Sequence, residues 1–195
     1  KWVITASFDK TLRLWDSRSR RSVRTMSGHT GLVLSIAVHP DGSRIASGAM
    51  DNTIKIWDVP VNSPIASHGG HQGAVRSLAI TKDGKWIISG GSDKTVRVRA
   101  AADGKPARTL DGHLSSVVGI ASRADNLQVA TATELGVLRL FTLADGKPVG
   151  GAVVAHAGSI TGLVFAPNSS FILTSGTDGL VRKWPKTLPA TFAST

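Results

Sequence analysis

GHTGLVLSIAVHPDGSRIASGAMDNTIKIWD, residues 28–58, decides how the whole chain is read. It opens on Gly-His and closes on Trp-Asp. Between them lie three short apolar stretches, LSIAV (34–38), RIASG (44–48) and TIKIW (53–57). The last alternates in part with period two, as a half-buried strand does. HPDG (39–42) places Gly42 where a left-handed residue closes a hairpin. No stretch has a helical pattern, so the segment reads as a run of short antiparallel strands.

The same frame extends in both directions. Trp57 stands 42 residues from Trp15 and from Arg99, Phe141 follows after 42 more, and Trp184 after 43. The histidines His29, His71, His113 and His156 step by 42, 42 and 43. Gly28, Gly70 and Gly112 precede the first three and Ala155 the fourth. A hydroxyl ladder runs Thr5, Ser47, Ser89, Thr131, Thr174, and an acidic one runs Asp9, Asp51, Asp93, Leu135, Asp178. Four ladders sharing one insertion define an internal repeat, and short strands at that spacing predict an all-β radial or stacked array.

Gly-His followed half a repeat later by Ser/Thr, Asp and Trp-Asp resembles the WD40 repeat, and the resemblance covers about residues 1–185. It implies a β-propeller of four-stranded blades, with strands a to d running outward from the axis. The expected units are a partial blade 1–27, repeats 28–69, 70–111, 112–154 and 155–185, and a tail 186–195. That is about four and a half blades, against 4–8 in a propeller. The first unit begins at WVITA (2–6), which aligns with strand b. The last ends after strand c, where the family commonly closes its ring with the N-terminal strand. The expectation is therefore an open arc, the C-terminal portion of a seven-bladed propeller with roughly two and a half blades upstream.

The resemblance also implies a hydrogen-bonded series in each blade. Aspartate accepts from one imidazole nitrogen, the other nitrogen meets the hydroxyl, and the hydroxyl accepts from the indole N–H. The sets are His29, Ser47, Asp51 and Trp57; His71, Ser89 and Asp93; His156, Thr174, Asp178 and Trp184; and Thr5, Asp9 and Trp15. A catalytic reading of His-Ser-Asp is rejected because the set recurs once per blade, which an active site has no reason to do. One histidine per blade likewise leaves the imidazoles too far apart for a shared metal.

The third and fourth repeats have drifted. Arg99 replaces the indole; it is expected to donate to Ser89 and to lay its stem across the neighbouring blade. Leu135 replaces the turn aspartate and Phe141 the next indole, which leaves His113 without its orienting acceptor.

The chain carries a net charge of +10 and no cysteine, which excludes disulfides, thiolate catalysis and Cys-based zinc sites. No apolar run is long enough to span a bilayer. Arg13, Lys55, Arg97, Arg139 and Arg182 recur at one strand-c position, and SRSRRSVR (17–24) adds Arg18, Arg20, Arg21 and Arg24 at a c–d hairpin. Solvated stems explain the ladder, and a solvated turn the hairpin, better than nucleic-acid contact, and no aromatics interleave with the hairpin run to stack on bases. The resemblance points instead to the rim formed by b–c turns and d–a loops. There Phe8, Met50 and Glu134 precede the turn position by one residue, with Leu32 and Leu114 in the loops, and they are the candidate partner-binding residues. The function expected is a non-catalytic interaction scaffold for a protein or peptide. The alternatives are a sensor or regulatory domain of a larger protein, or basic-patch nucleic-acid binding. No cofactor, membrane contact or small-molecule substrate is expected.

Overall fold

A computed structural model describes residues 2–59 and 64–189; within them the chain forms eighteen strands and no helix. The strands make five antiparallel meanders in chain order. The first sheet is β1 (Trp2–Ala6), β2 (Thr11–Asp16) and β3 (Ser22–Ser27). The second is β4 (Val33–Val38), β5 (Arg44–Ala49), β6 (Ile54–Asp58) and β7 (Ala66–His68). The third is β8 (Val75–Ile80), β9 (Trp86–Gly91), β10 (Val96–Ala100) and β11 (Pro106–Leu110). The fourth is β12 (Val117–Ser122), β13 (Gln128–Thr133), β14 (Val137–Thr142) and β15 (Val153–Val154). The fifth is β16 (Ile160–Phe165), β17 (Phe171–Gly176) and β18 (Val181–Pro185).

Each sheet packs face-on against the next. Leu12 and Met26 of the first meet Val33, Ile45 and Trp57 of the second in one buried cluster. Equivalent clusters join the second sheet to the third, the third to the fourth and the fourth to the fifth. The first strands of the second to fifth sheets, β4, β8, β12 and β16, each lie beside the next in the series. Gly48 lies where a Cβ would sit 2.4 Å from a methyl of Val75, so glycine there lets two sheets approach. Gly42 and Gly84 close their hairpins at φ 74° and 72°, the left-handed conformation that glycine adopts without penalty.

Equivalent positions differ at the two outermost faces. Val3 is half exposed, whereas Ile45, Ile87, Val129 and Ile172 are buried. Val181 is exposed, whereas Leu12, Ile54, Val96 and Leu138 are buried. The interior faces are covered by a neighbouring sheet and these two are not.

Two features were not expected. Every strand-a to strand-b ladder from the second sheet onward carries a register shift at the same place, between Val33/Ser35, Val75/Ser77, Val117/Gly119 and Ile160/Gly162. A bulge there increases local twist in the inner strand. In the tail, Leu188 is buried with Leu138, Leu140 and Val153 of the fourth sheet, and the Gly151 N–H donates to the Pro189 carbonyl at 2.8 Å. The tail thus packs on the preceding sheet; the part from 190 onward lies outside the described residues.

Candidate functional site

The repeated polar residues form hydrogen-bonded chains, buried in the second to fifth sheets and exposed in the first. Trp57 Nε1–H donates to Ser47 Oγ at 2.7 Å, Ser47 Oγ meets His29 Nε2 at 2.7 Å, and His29 Nδ1 meets Asp51 Oδ2 at 2.8 Å. In the fifth sheet Trp184, Thr174, His156 and Asp178 repeat the series, each link at 2.8 Å. In the third, His71 joins Ser89 at 2.8 Å and Asp93 at 3.0 Å. In the first sheet, Trp15 donates to Thr5 at 2.9 Å and Asp9 accepts from Thr11. The carboxylate sets the tautomer: Nδ1–H donates to it, which leaves Nε2 to accept from the hydroxyl.

Sequence reading missed further donors on these carboxylates. Thr53 and Thr95, two residues past the aspartate, donate through Oγ1 and N–H. The N–H groups of Thr30, Gln72 and Ala157, one past each histidine, donate to Asp51, Asp93 and Asp178 at 2.9, 2.9 and 3.2 Å. The Asp-x-Thr recurrence at 9–11, 51–53 and 93–95 was the available signal. Burial tends to raise the Asp51 pKa, but the bonds from Thr53, His29 and Thr30 outweigh it and hold the carboxyl at about 2. Burial pushes His29 and His71 below the usual imidazole range, against the pull of their aspartates. Ser47, Ser89 and Thr131 have no exposed surface and Thr174 almost none, so these hydroxyls offer no reachable nucleophile.

The drifted repeats differ in detail. Arg99 does not reach Ser89. Its guanidinium donates to the carbonyls of Gly104, in the β10–β11 turn, and Gly69, ahead of β8. The reason is reach: the long side chain passes the hydroxyl and ties two backbone segments instead. Arg99 is buried, and its pKa is lowered by burial and then by Arg97. In the fourth sheet His113 Nε2 meets Thr131 Oγ1 at 2.8 Å, with the Phe141 ring 5.5 Å away, centroid to centroid. Nδ1 has no hydrogen-bond partner. Burial, and then the charge of Arg139, push the His113 pKa down to about 4.

The b–c turns and d–a loops lie at one end of each sheet, joined by equivalent bonds. The N–H groups of Met50, Ser92, Glu134 and Thr177 donate to the carbonyls of Leu32, Ala74, Ser116 and Ser159. At this end Phe8 is 70% exposed, Met50 51% and Leu114 84%. Leu32 is only half exposed. Glu134 is exposed, but its carboxylate accepts from Ser116 Oγ at 2.8 Å. The strand-c basic ladder is mostly engaged within the chain. Arg13 pairs with Asp9 at 3.4 Å, Arg182 with Asp178 at 2.7 Å, and Lys55 donates to Ser67 at 2.9 Å. In the basic hairpin, Arg24 bonds the Val59 carbonyl. Among the described residues no group of three or more His, Cys, Asp or Glu side chains is placed to hold a metal, and no helix is long and apolar enough to cross a membrane.

Five repeated antiparallel sheets, with a full Trp–hydroxyl–His–Asp chain in the second and fifth and parts of it in the others, define a WD-repeat architecture. The family model "WD domain, G-beta repeat" matches residues 1–16, 20–58, 62–99 and 148–185, more than half of the chain. The protein belongs to the WD40-repeat family. The matches leave out residues 100–147, which hold the drifted Leu135 and Phe141, although three of the four strands of the fourth sheet, β12 to β14, form there. Among curated relatives, the guanine nucleotide-binding protein subunit beta of Arabidopsis thaliana is 47% identical over 49 residues, 25% of this chain and 13% of that protein. The nuclear distribution protein PAC1 of Mycosarcoma maydis is 40% identical over 47 residues, 24% of this chain and 10% of that protein. The corresponding beta subunit of Oryza sativa subsp. indica is 45% identical over 47 residues, 24% and 12% of the two chains. Each match is about one repeat long and spans a small part of the relative.

Proposed function

We propose that the protein is a non-catalytic interaction scaffold that presents the turn-and-loop end of its sheets to a protein or peptide. The observation that carries this is the exposure of Phe8, Met50 and Leu114 at that end, where backbone bonds join turn and loop in each sheet from the second onward. Large apolar side chains exposed on a pre-formed backbone favour contact surfaces, because the backbone need not be ordered on binding. The polar sets that resemble catalytic triads are sealed between sheets and act as braces. One relative is, by its name, a subunit of a larger protein, which accords with work inside an assembly. The intramolecular partners of Arg13, Lys55, Arg24 and Arg182 weigh against a nucleic-acid interface.

The test is Phe8→Asp combined with Met50→Asp. Both side chains are exposed, so the double variant keeps its thermal midpoint. Partners cross-linked to the wild type in cells are expected to be lost. Unchanged cross-linking removes these residues from the contact surface.

A further inference from the structure

The second, third and fifth sheets, which keep the turn aspartate, show what that position is built to hold. A carboxylate there accepts from a histidine Nδ1 and from the next residue's N–H, in the same geometry each time. In the fourth sheet the histidine remains and the carboxylate does not. Leu135 takes the position, and its side chain is exposed rather than turned in to fill the space. A cavity of about 160 Å³ occupies the place, bordered by Gly112, His113, Leu114, Leu135, Arg139 and Val154. That is ample for a carboxylate and a short stem, since one water needs only about 10–15 Å³ on this measure.

The groups facing the cavity are donors that lack a carboxylate acceptor, although the Leu110 carbonyl exerts a weak pull on His113. His113 is 7% exposed and its Nδ1 makes no hydrogen bond. The Leu114 N–H, counterpart of the Thr30, Gln72 and Ala157 donors, has no acceptor among the described residues. Arg139 Nη1 lies so close over Gly112 that a Cβ there would sit 2.3 Å from it. Its one hydrogen bond is a long 3.5 Å contact to the Asp111 carbonyl. The nearby acids do not fill the gap: Glu134 is held by Ser116, and Asp111 is exposed and bonds neither His113 nor Arg139 through its carboxylate.

We propose that this cavity is a docking site for the carboxylate of an acidic side chain on a peptide partner. The ligand's carboxylate takes the place of the missing turn aspartate. It accepts from His113 Nδ1–H and the Leu114 N–H, and it neutralises Arg139. The exposed Leu114 and Leu135 flank the mouth and cover apolar residues beside the acid, which a free small anion does not use. The proposal deepens the scaffold reading and rests on it for the source of the carboxylate.

The test uses the full chain with isotope-labelled histidines, followed by NMR. The probes are N-acetyl-glutamate α-methylamide, its glutamine counterpart and propionate. The glutamate probe is expected to shift the His113 side-chain signals saturably, and more tightly than propionate. The glutamine probe is expected to leave them unmoved. Leu135→Asp, which supplies the carboxylate internally, abolishes the response. Arg139→Gln weakens it about tenfold, the loss of one charge-assisted hydrogen bond. An absent His113 response, an equal response to glutamine, or a response that survives Leu135→Asp overturns the site. Binding of propionate without the glutamate probe overturns the peptide source. None of these results bears on Phe8 and Met50, so the scaffold reading fails or stands separately.

Discussion

Leu135→Asp restores a link that the structure shows three times, and its effect can be worked out in advance. The new carboxylate gains a bond from His113 Nδ1–H and one from the Leu114 N–H; sister contacts are 2.8 to 3.2 Å. Hydrogen bonds to a charged group contribute about 1.5–3 kcal/mol net. Leu135 is already mostly exposed, so the apolar burial lost is under about 1 kcal/mol. The sister Asp51 offers a check. Its carboxyl sits at about 2 instead of the ordinary 3.8. That shift corresponds to about 2.5 kcal/mol undiminished, and to about half of that once solvent screening is allowed for. The bond count sets an upper bound of about 2–5 kcal/mol before the cost of desolvating the new carboxylate, and the sister shift gives about 1; a gain of about 1–2 kcal/mol at pH 7 is expected.

The pH dependence is the sharper signature. In the wild type, the folded-state pKa of His113 is about 4, below its ordinary 6.5. The unfolded chain therefore binds this proton first, and the neutral folded form loses stability as pH falls from 6.5 toward 4. At pH 5 the loss is about 2 kcal/mol by linkage. A carboxylate at Nδ1 raises the folded pKa of His113 and removes part of this loss. The new aspartate is itself depressed, so its contribution holds above about pH 4 and fades below it. Equilibrium urea unfolding is expected to show a gain of about 1–2 kcal/mol at pH 7, about 2–3 at pH 5, and a decline below pH 4. A gain that does not change between pH 7 and 5, or a destabilised variant, refutes the view that His113 lacks only an acceptor.

Arg99→Trp is expected to stabilise the protein by about 1–2 kcal/mol, because an indole buries more apolar area and gives Ser89 a donor. Urea unfolding tests this, and a loss of stability means that the bonds to Gly69 and Gly104 matter more than the ring. Trp57→Phe keeps the ring and drops the bond to Ser47, as Phe141 does naturally, and is expected to cost about 1 kcal/mol; Trp57→Ala costs about 3–5. Similar losses for both variants mean that the hydrogen bond, rather than ring burial, carries the contribution of Trp57.

The repeat was legible in the sequence because a blade is a local unit. Its strands, turns and bracing residues recur at a fixed distance along the chain, and a substitution in one copy is measured against the others. That is why His29, Ser47, Asp51 and Trp57 can be picked out as one set, and why Leu135 and Arg99 stand out as departures. Other features depend on atoms far apart in the chain or on space left empty. Arg99 finds the Gly69 carbonyl thirty residues away. Glu134, though exposed, accepts from Ser116, and Leu188 packs against the fourth sheet. Spacing reports which residue types recur, but not which acceptor a long side chain reaches or which buried donor is left over. The ladders already marked Leu135 as a lost carboxylate. Only the tertiary structure showed that the space stayed open, with His113, Leu114 and Arg139 around it, because a cavity is a property of packing that no period in the sequence records.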